Sequence, residues 1–206
     1  MKIVSIDIET TGLDPETCQV IQIGAVIEDT ANIKPLENLP KYKCLIEHKN
    51  YSGSARALHM NAGILNTIAD LDKQKRETAG EYRIKHNIIT PTMAAASFSN
   101  WLTFNGCELS DDKVVLNVAG KNFASFDKLF LEKLPNWKAR IKIRNRILDP
   151  AILAINWKED SSVPGLALCK KRAGLEGHVS HDALDDALDV IRILRVFTNN
   201  YQNESN

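Results

Sequence analysis

Lys2-Ile3-Val4-Ser5-Ile6-Asp7-Ile8-Glu9 opens the chain with the alternating, β-branched pattern of a strand, and its two acids decide how the fold is read. Successive strand side chains leave opposite faces, so Asp7 and Glu9 share one face while Val4, Ile6 and Ile8 take the other. The segment is apolar enough to be central in a sheet, where unpaired carboxylates are costly. Hard divalent cations offset that cost. On a solvated strand the same Asp-x-Glu pair is harmless, so further acids must join it before it signifies a metal site.

Working outward, Gln19 to Glu28 and Tyr42 to Ile46 repeat the strand character, giving three sequential strands. Thr10-Thr11-Gly12-Leu13-Asp14-Pro15 between the first two predicts a tight reversal into an antiparallel neighbour. Ser54 to Leu71 has helical spacing, whereas Lys73 to His86 is polar and basic with no clear period and reads as a loop or excursion. Thr90-Pro91-Thr92 opens a helix through Phe104 with its proline in the first turn. Val114 to Val118 is a short strand running through Ala119-Gly120-Lys121-Asn122 into a helix from about Phe123 to Leu134. Two more helices are predicted over Pro164 to Leu175 and Asp182 to Phe197, followed by a polar tail, 199–206, expected to fray. Strands first and helices alternating later predict an α/β fold, a mixed sheet with helices on its faces, in one domain over 1–198.

The 206 residues are 44% hydrophobic and 25% charged, an ordinary globular balance, and no apolar run is long enough to span a bilayer. The amino terminus turns acidic at Asp7 before any signal-peptide core forms, so a cytoplasmic location is expected. Cys18, Cys44, Cys107 and Cys169 contain no CxxC pair and are expected to be free thiols. A formal net charge of zero argues against a broad basic surface for long nucleic acid, yet suits a compact site for a strand end.

Asp127 lies in the predicted fourth-strand helix with Phe123, Phe130, Leu131 and Leu134 at helical spacing, so it sits on an apolar stripe. In the last helix, Asp186 shares its stripe with Ala183, Val190 and Ile193. Asp182, Asp185, Asp189 and Arg192 form a separate side that reads as solvated, with Asp182 as the helix cap. His181 then belongs to the entering loop, the placement a site shared with Asp186 requires.

Ile6-Asp7-Ile8-Glu9-Thr10-Thr11-Gly12-Leu13, Gly120-Lys121-Asn122-Phe123-Ala124-Ser125-Phe126-Asp127 and His181-Asp182-Ala183-Leu184-Asp185-Asp186-Ala187 resemble, in order, the three exonuclease motifs of the DEDDh family. That family includes polymerase proofreading subunits, ribonuclease T and oligoribonuclease. The resemblance implies an RNase H-like fold with a mixed five-stranded sheet, and a 3′→5′ exonuclease releasing 5′-mononucleotides. It puts Asp7, Glu9, Asp127 and Asp186 on the metal-binding acids, Asp7 bridging two Mg²⁺ or Mn²⁺ ions, and His181 on the general base. Ala57-Leu58-His59-Met60-Asn61 is similar to the segment lining the terminal nucleotide's pocket, and Thr10, His59, Met60, Asn122 and Phe123 are the expected substrate contacts. Met60, Phe123 and Phe126 are candidates to wedge or stack a base. The expected partner is a single-stranded DNA or RNA 3′ end, with a polymerase as a further candidate.

Residues 73–90 have no counterpart in the family pattern. The alternation of Lys138, Arg140, Lys142, Arg144 and Arg146 with Ala139, Ile141, Ile143 and Asn145 fits a solvated edge strand as well as a phosphate contact. Two rival functions share the same residues, a catalytically silent binding module and an RNase H-like endonuclease. End-labelled oligonucleotides with Mg²⁺ separate all three.

Overall fold

In a computed structural model of the chain, which describes residues 1–175 and 181–198, the opening segment is β1 (Lys2–Thr10), followed by β2 (Val20–Asp29) and β3 (Lys41–Ile46). Three helices follow, α1 (Ala55–Met60), α2 (Ala62–Ala69) and α3 (Arg76–His86), then β4 (Ile88–Ile89) and α4 (Pro91–Phe104). The chain continues through β5 (Glu108–Ser110), β6 (Lys113–Leu116), β7 (Val118–Ala119), α5 (Asp127–Leu131), α6 (Trp137–Arg140) and β8 (Ile141–Ile143). It closes with α7 (Ala151–Ala154), α8 (Leu166–Arg172) and α9 (Ala183–Phe197). The tail 199–206 lies outside the described residues.

The main sheet has five strands in the order β4-β3-β2-β1-β7, and β1 pairs antiparallel with β2 and parallel with β7. It is the expected α/β arrangement, a mixed five-stranded sheet flanked by helices. One face carries Val4, Ile6, Ile8, Ile23, Ala25 and Cys44 against Ala94, Ala95, Phe98 and Leu102 of α4. Phe98 stacks on Trp137 with ring centroids 5.4 Å apart. The other face packs Ile3 and Val26 against Ala187, Val190, Ile191 and Leu194 of α9. Each Val, Ile, Leu or Phe side chain among them is worth roughly 1.5–3 kcal/mol on burial, so the two layers hold β1 from both sides.

Several expectations are corrected. Lys73 to His86 is not a loop: α3 occupies most of it, ended by Asn87 in the left-handed region at φ 46°. Only Ala79 and Tyr82 of α3 pack inward, on Leu45, Ile68, Leu71 and Ile88, so its apolar period is too thin to read. The predicted strand 114–118 is divided at Asn117. Its first part, β6, belongs to a second, three-stranded sheet ordered β5-β6-β8, while β7 joins β1. Asn117 makes the crossing, its carbonyl accepting from Val4 N–H at 2.8 Å and its amide donating to the Lys2 carbonyl at 3.1 Å.

The fourth-strand helix starts at Asp127 rather than Phe123, because turns fill 121–126. The reversal after β1 is a longer loop closed by Thr11 N–H on the Gln19 carbonyl at 2.9 Å, and Asp14 organises it by accepting from Glu16 N–H and the Thr17 hydroxyl. The basic segment 138–146 is extended only over β8, an edge strand of the small sheet. Finally, Asp189 is not on a solvated face. It is buried, ion-paired to buried Lys170 of α8 and, at 2.7 Å, to Arg192.

Candidate active site

The α9-facing side of β1 ends in Asp7 and Glu9. Opposite Asp7 in the antiparallel register stands Gly24, and a Cβ there would lie 2.1 Å from the Ala183 carbonyl carbon. Only a glycine lets the first turn of α9 rest directly on β2. That turn carries Asp186, which is buried, while Asp185 is exposed, as the helical period predicts. One carboxylate oxygen from each of Asp7, Glu9 and Asp186 lies within 4.8 Å of the others.

Asp127 reaches the site from the far side of β1. Strand β7 pairs with β1 only through Val4 and Ser5, and beyond that short strand Asp127 Oδ1 accepts from Ile8 N–H at 3.1 Å. The helix-opening carboxylate thus continues the edge that β7 leaves, beside Asp7. It is 3% exposed, and its chain neighbours Phe123, Phe130 and Leu131 belong to the core.

Crowding shows in the acidities. Asp7 is held well above the usual carboxylate range, first by burial and then by the charges of Asp127, Asp186, Glu9 and Asp182. Burial also pushes Glu9 up to about 7, against a lowering by the Asn61 amide. For Asp127 burial again dominates and lifts the carboxyl to about 7, despite hydrogen bonds from its own N–H and that of Ile8. Among the described residues, no cation is among the influences that set the acidities of Asp7, Glu9 and Asp127. The site's donors are all carboxylate oxygens, the set that hard divalent cations take.

His181 is exposed with φ 51°, in the left-handed region, one residue before the Asp182 cap whose side chain accepts from Leu184 N–H at 3.1 Å. It therefore lies in the entering loop, as expected; residues 176–180 before it lie outside the described residues. Gln22, opposite Glu9 on β2 and 1% exposed, clamps this turn. Its Oε1 accepts from Ala183 N–H at 2.7 Å, its Nε2 donates to Asp182 Oδ2 at 3.3 Å, and Lys43 pairs with the same carboxylate.

The expected substrate contacts separate. A cleft of about 410 Å³ beside Glu9 is lined by Thr10, Leu13, Arg56, Met60, Asn61 and Phe126, among others. Thr10 and Met60 are therefore at the site. His59 is exposed on the last turn of α1 and lines none of this cleft. Asn122 is also away from it, its N–H donating to Asp149 Oδ2 at 2.9 Å. Phe123 is corrected from a stacking candidate to a core residue: its ring is fully buried, and Phe126 is the aromatic that faces the cleft.

Sequence reasoning missed Gln22 and Arg56, and singled out Asn61 only as part of the Ala57–Asn61 segment. Arg56 precedes Met60 by one helical turn, a period that could have found it. Asn61 donates to the Thr10 carbonyl at 3.0 Å, while Gln22 acts through a tertiary contact that no local pattern encodes.

The family model for the 3′-5′ exoribonuclease Rv2179c-like domain matches residues 2–198. The chain belongs to that family. This Rv2179c-like domain is a 3′–5′ exonuclease, a phosphodiester hydrolase, as the three motifs led one to expect. Among solved structures, the nuclease domain of 3′hExo, a DEDDh family member bound to rAMP, is 16% identical with TM-score 0.62, covering all of this chain and 94% of that one. E. coli Exonuclease I in complex with a dT13 oligonucleotide is 16% identical with TM-score 0.61, over 97% of this chain but 42% of that chain, so the Rv2179c-like domain spans about two fifths of its length. Cell-death related nuclease 4 is 16% identical with TM-score 0.62, over 98% of this chain and 64% of that one. These likenesses carry the RNase H-like fold. No curated protein matches the sequence.

Proposed function

We propose that this exonuclease removes nucleotides one at a time from the 3′ end of single-stranded RNA, using two divalent cations held by Asp7, Glu9, Asp186 and Asp127, with His181 as general base. The observation that carries this reading is the convergence of Asp7, Glu9 and Asp186 within 4.8 Å in a partly buried, acid-crowded pocket. Oxygen-only donors favour Mg²⁺ or Mn²⁺ over zinc, which prefers thiolate and imidazole. When bound, the cations neutralise charge on the scissile phosphate and the departing oxygen and make water a competent nucleophile at neutral pH.

The chain's own residues supply the rest. His181, held at the mouth of the site by the turn that Gln22 and Lys43 clamp, accepts the proton of the attacking water. Water adds to phosphorus, the bond from phosphorus to the 3′ oxygen breaks, and that oxygen becomes the hydroxyl of the shortened strand. The phosphate leaves on the 5′ carbon of the released nucleotide. Thr10, Met60 and Phe126 line the cleft beside Glu9, where the terminal nucleoside is received.

RNA is proposed because the family is described as one of exoribonucleases. Matched RNA and DNA single strands, digested with Mg²⁺ or Mn²⁺ and analysed by mass spectrometry, test both parts. The expected result is faster loss of RNA with 5′-mononucleotides as product. Equal or faster loss of DNA refutes the RNA assignment, and 3′-phosphorylated products refute the mechanism.

A further inference from the structure

A second cleft, of about 590 Å³, begins where the site ends. Gln22, His181 and Asp182 line one end, and Lys85, His86 and Asn87 line the other, where α3 stops. Met60 and Asn61 belong to this cleft and to the smaller one beside Glu9, so the two meet across a single turn of chain. Its volume falls within the roughly 300–1,000 Å³ of ligand sites, room for a nucleotide rather than a lone phosphate.

The lining has two characters. Leu45, Met60 and Ile64 contribute apolar surface, and Lys43, Lys85 and His86 contribute a basic rim. Asp182 is the one carboxylate that lines it among the described residues, and Lys43 pairs with it. Lys85 is exposed, with no carboxylate in ion-pair contact among the described residues. Apolar surface for bases beside a free cation for phosphates is the combination that holds single-stranded nucleic acid.

We infer that this cleft binds the strand immediately 5′ of the scissile phosphate, with Lys85 as its phosphate contact, so that α3 makes the enzyme favour substrates longer than a dinucleotide. The inference rests on the exonuclease reading above. A strand whose last nucleoside fills the Glu9 cleft, and whose scissile phosphate meets the carboxylates, continues past His181 along the groove that starts there. Met60 then stands between the terminal base and its neighbour. The helix that the family pattern does not account for acquires a role as the outer wall of the substrate path.

Steady-state kinetics on a dinucleotide and on a longer single-stranded oligonucleotide test this. A dinucleotide with a free 5′ hydroxyl has no phosphate upstream of the scissile one and offers Lys85 nothing to contact. Lys85→Gln is expected to raise KM several-fold on the longer strand alone, and to flatten the slope of log KM against log salt by roughly 0.7, the value for one phosphate contact to a single strand. An equal loss on both substrates, or on neither, overturns the subsite while the exonuclease reading stands. A wild-type chain inactive on both overturns the exonuclease reading and the subsite with it.

Discussion

Asp185 and Asp186 are adjacent in sequence and opposite in circumstance, one exposed on the outer side of α9 and the other buried against Asp7 and Glu9. Asp186→Asn is expected to abolish metal-dependent cleavage. Asp185→Asn should shift stability by no more than about 0.5 kcal/mol and leave turnover intact, while His181→Ala should slow single turnover by roughly 10²-fold without weakening metal binding. Metal titration and single-turnover rates decide among the three, and an inactive Asp185→Asn would mean that the register of α9 is wrong. The acidities give a further expectation. Glu9 and Asp127 titrate near 7 when folded, above their unfolded values, so what they contribute to stability is present below the unfolded values and is lost as pH rises through about 7. The metal-free protein should accordingly become less stable from about pH 4.5 to 7, and cation binding near pH 6 should expel protons. Calorimetry in buffers of different ionisation enthalpy measures that release; its absence would show that the acids are already charged. The choice of Asp186 over Asp185 was legible in the sequence because helical period alone decides it. Asp189 was not, because Lys170, which neutralises it, comes from another helix.

At the scale of elements, the site depends on α9 lying directly on β2. Gly24→Ala would drive a methyl into the Ala183–Leu184 backbone and lift the helix that carries Asp186. We expect a loss of about 1–3 kcal/mol from overpacking, together with weaker cation binding, read by chemical denaturation and by metal titration. Unchanged values for both would mean that α9 is free to move without disturbing the carboxylates. Strands β1 to β3 and helices α4, α8 and α9 were legible because each carries a strong period or a clear cap, down to Asp182. Helix α3 was hidden by a face that offers the core little beyond Ala79 and Tyr82. The break between β6 and β7 was hidden too, since the apolar run from Val114 to Val118 does not reveal that Asn117 transfers the chain from one sheet to another.

Over the whole molecule, two sheet faces fix β1 in the interior and leave its carboxyl-terminal half as the meeting place of α9, α5 and the Met60–Asn61 turn. The motifs announced the carboxylates and His181, whereas the clefts that receive the strand depend on packing between distant segments and had to be seen. Among the described residues no helix is long and apolar enough to cross a membrane. The 410 Å³ cleft beside Glu9 is walled by Leu13, Met60 and Phe126, so a terminal base must leave its stack to enter. Single strands should therefore be degraded faster than blunt duplexes of the same sequence, and equal rates would contradict the terminal pocket. The account as a whole is tested most directly by following 5′-end-labelled single-stranded RNA through a time course with wild-type protein and Asp7→Asn, with Mn²⁺ and with excess chelator. The predicted result is a ladder that shortens one nucleotide at a time with wild-type protein and Mn²⁺, and an intact band in every other lane. Internal cuts, or shortening that persists under chelator or in Asp7→Asn, would contradict it.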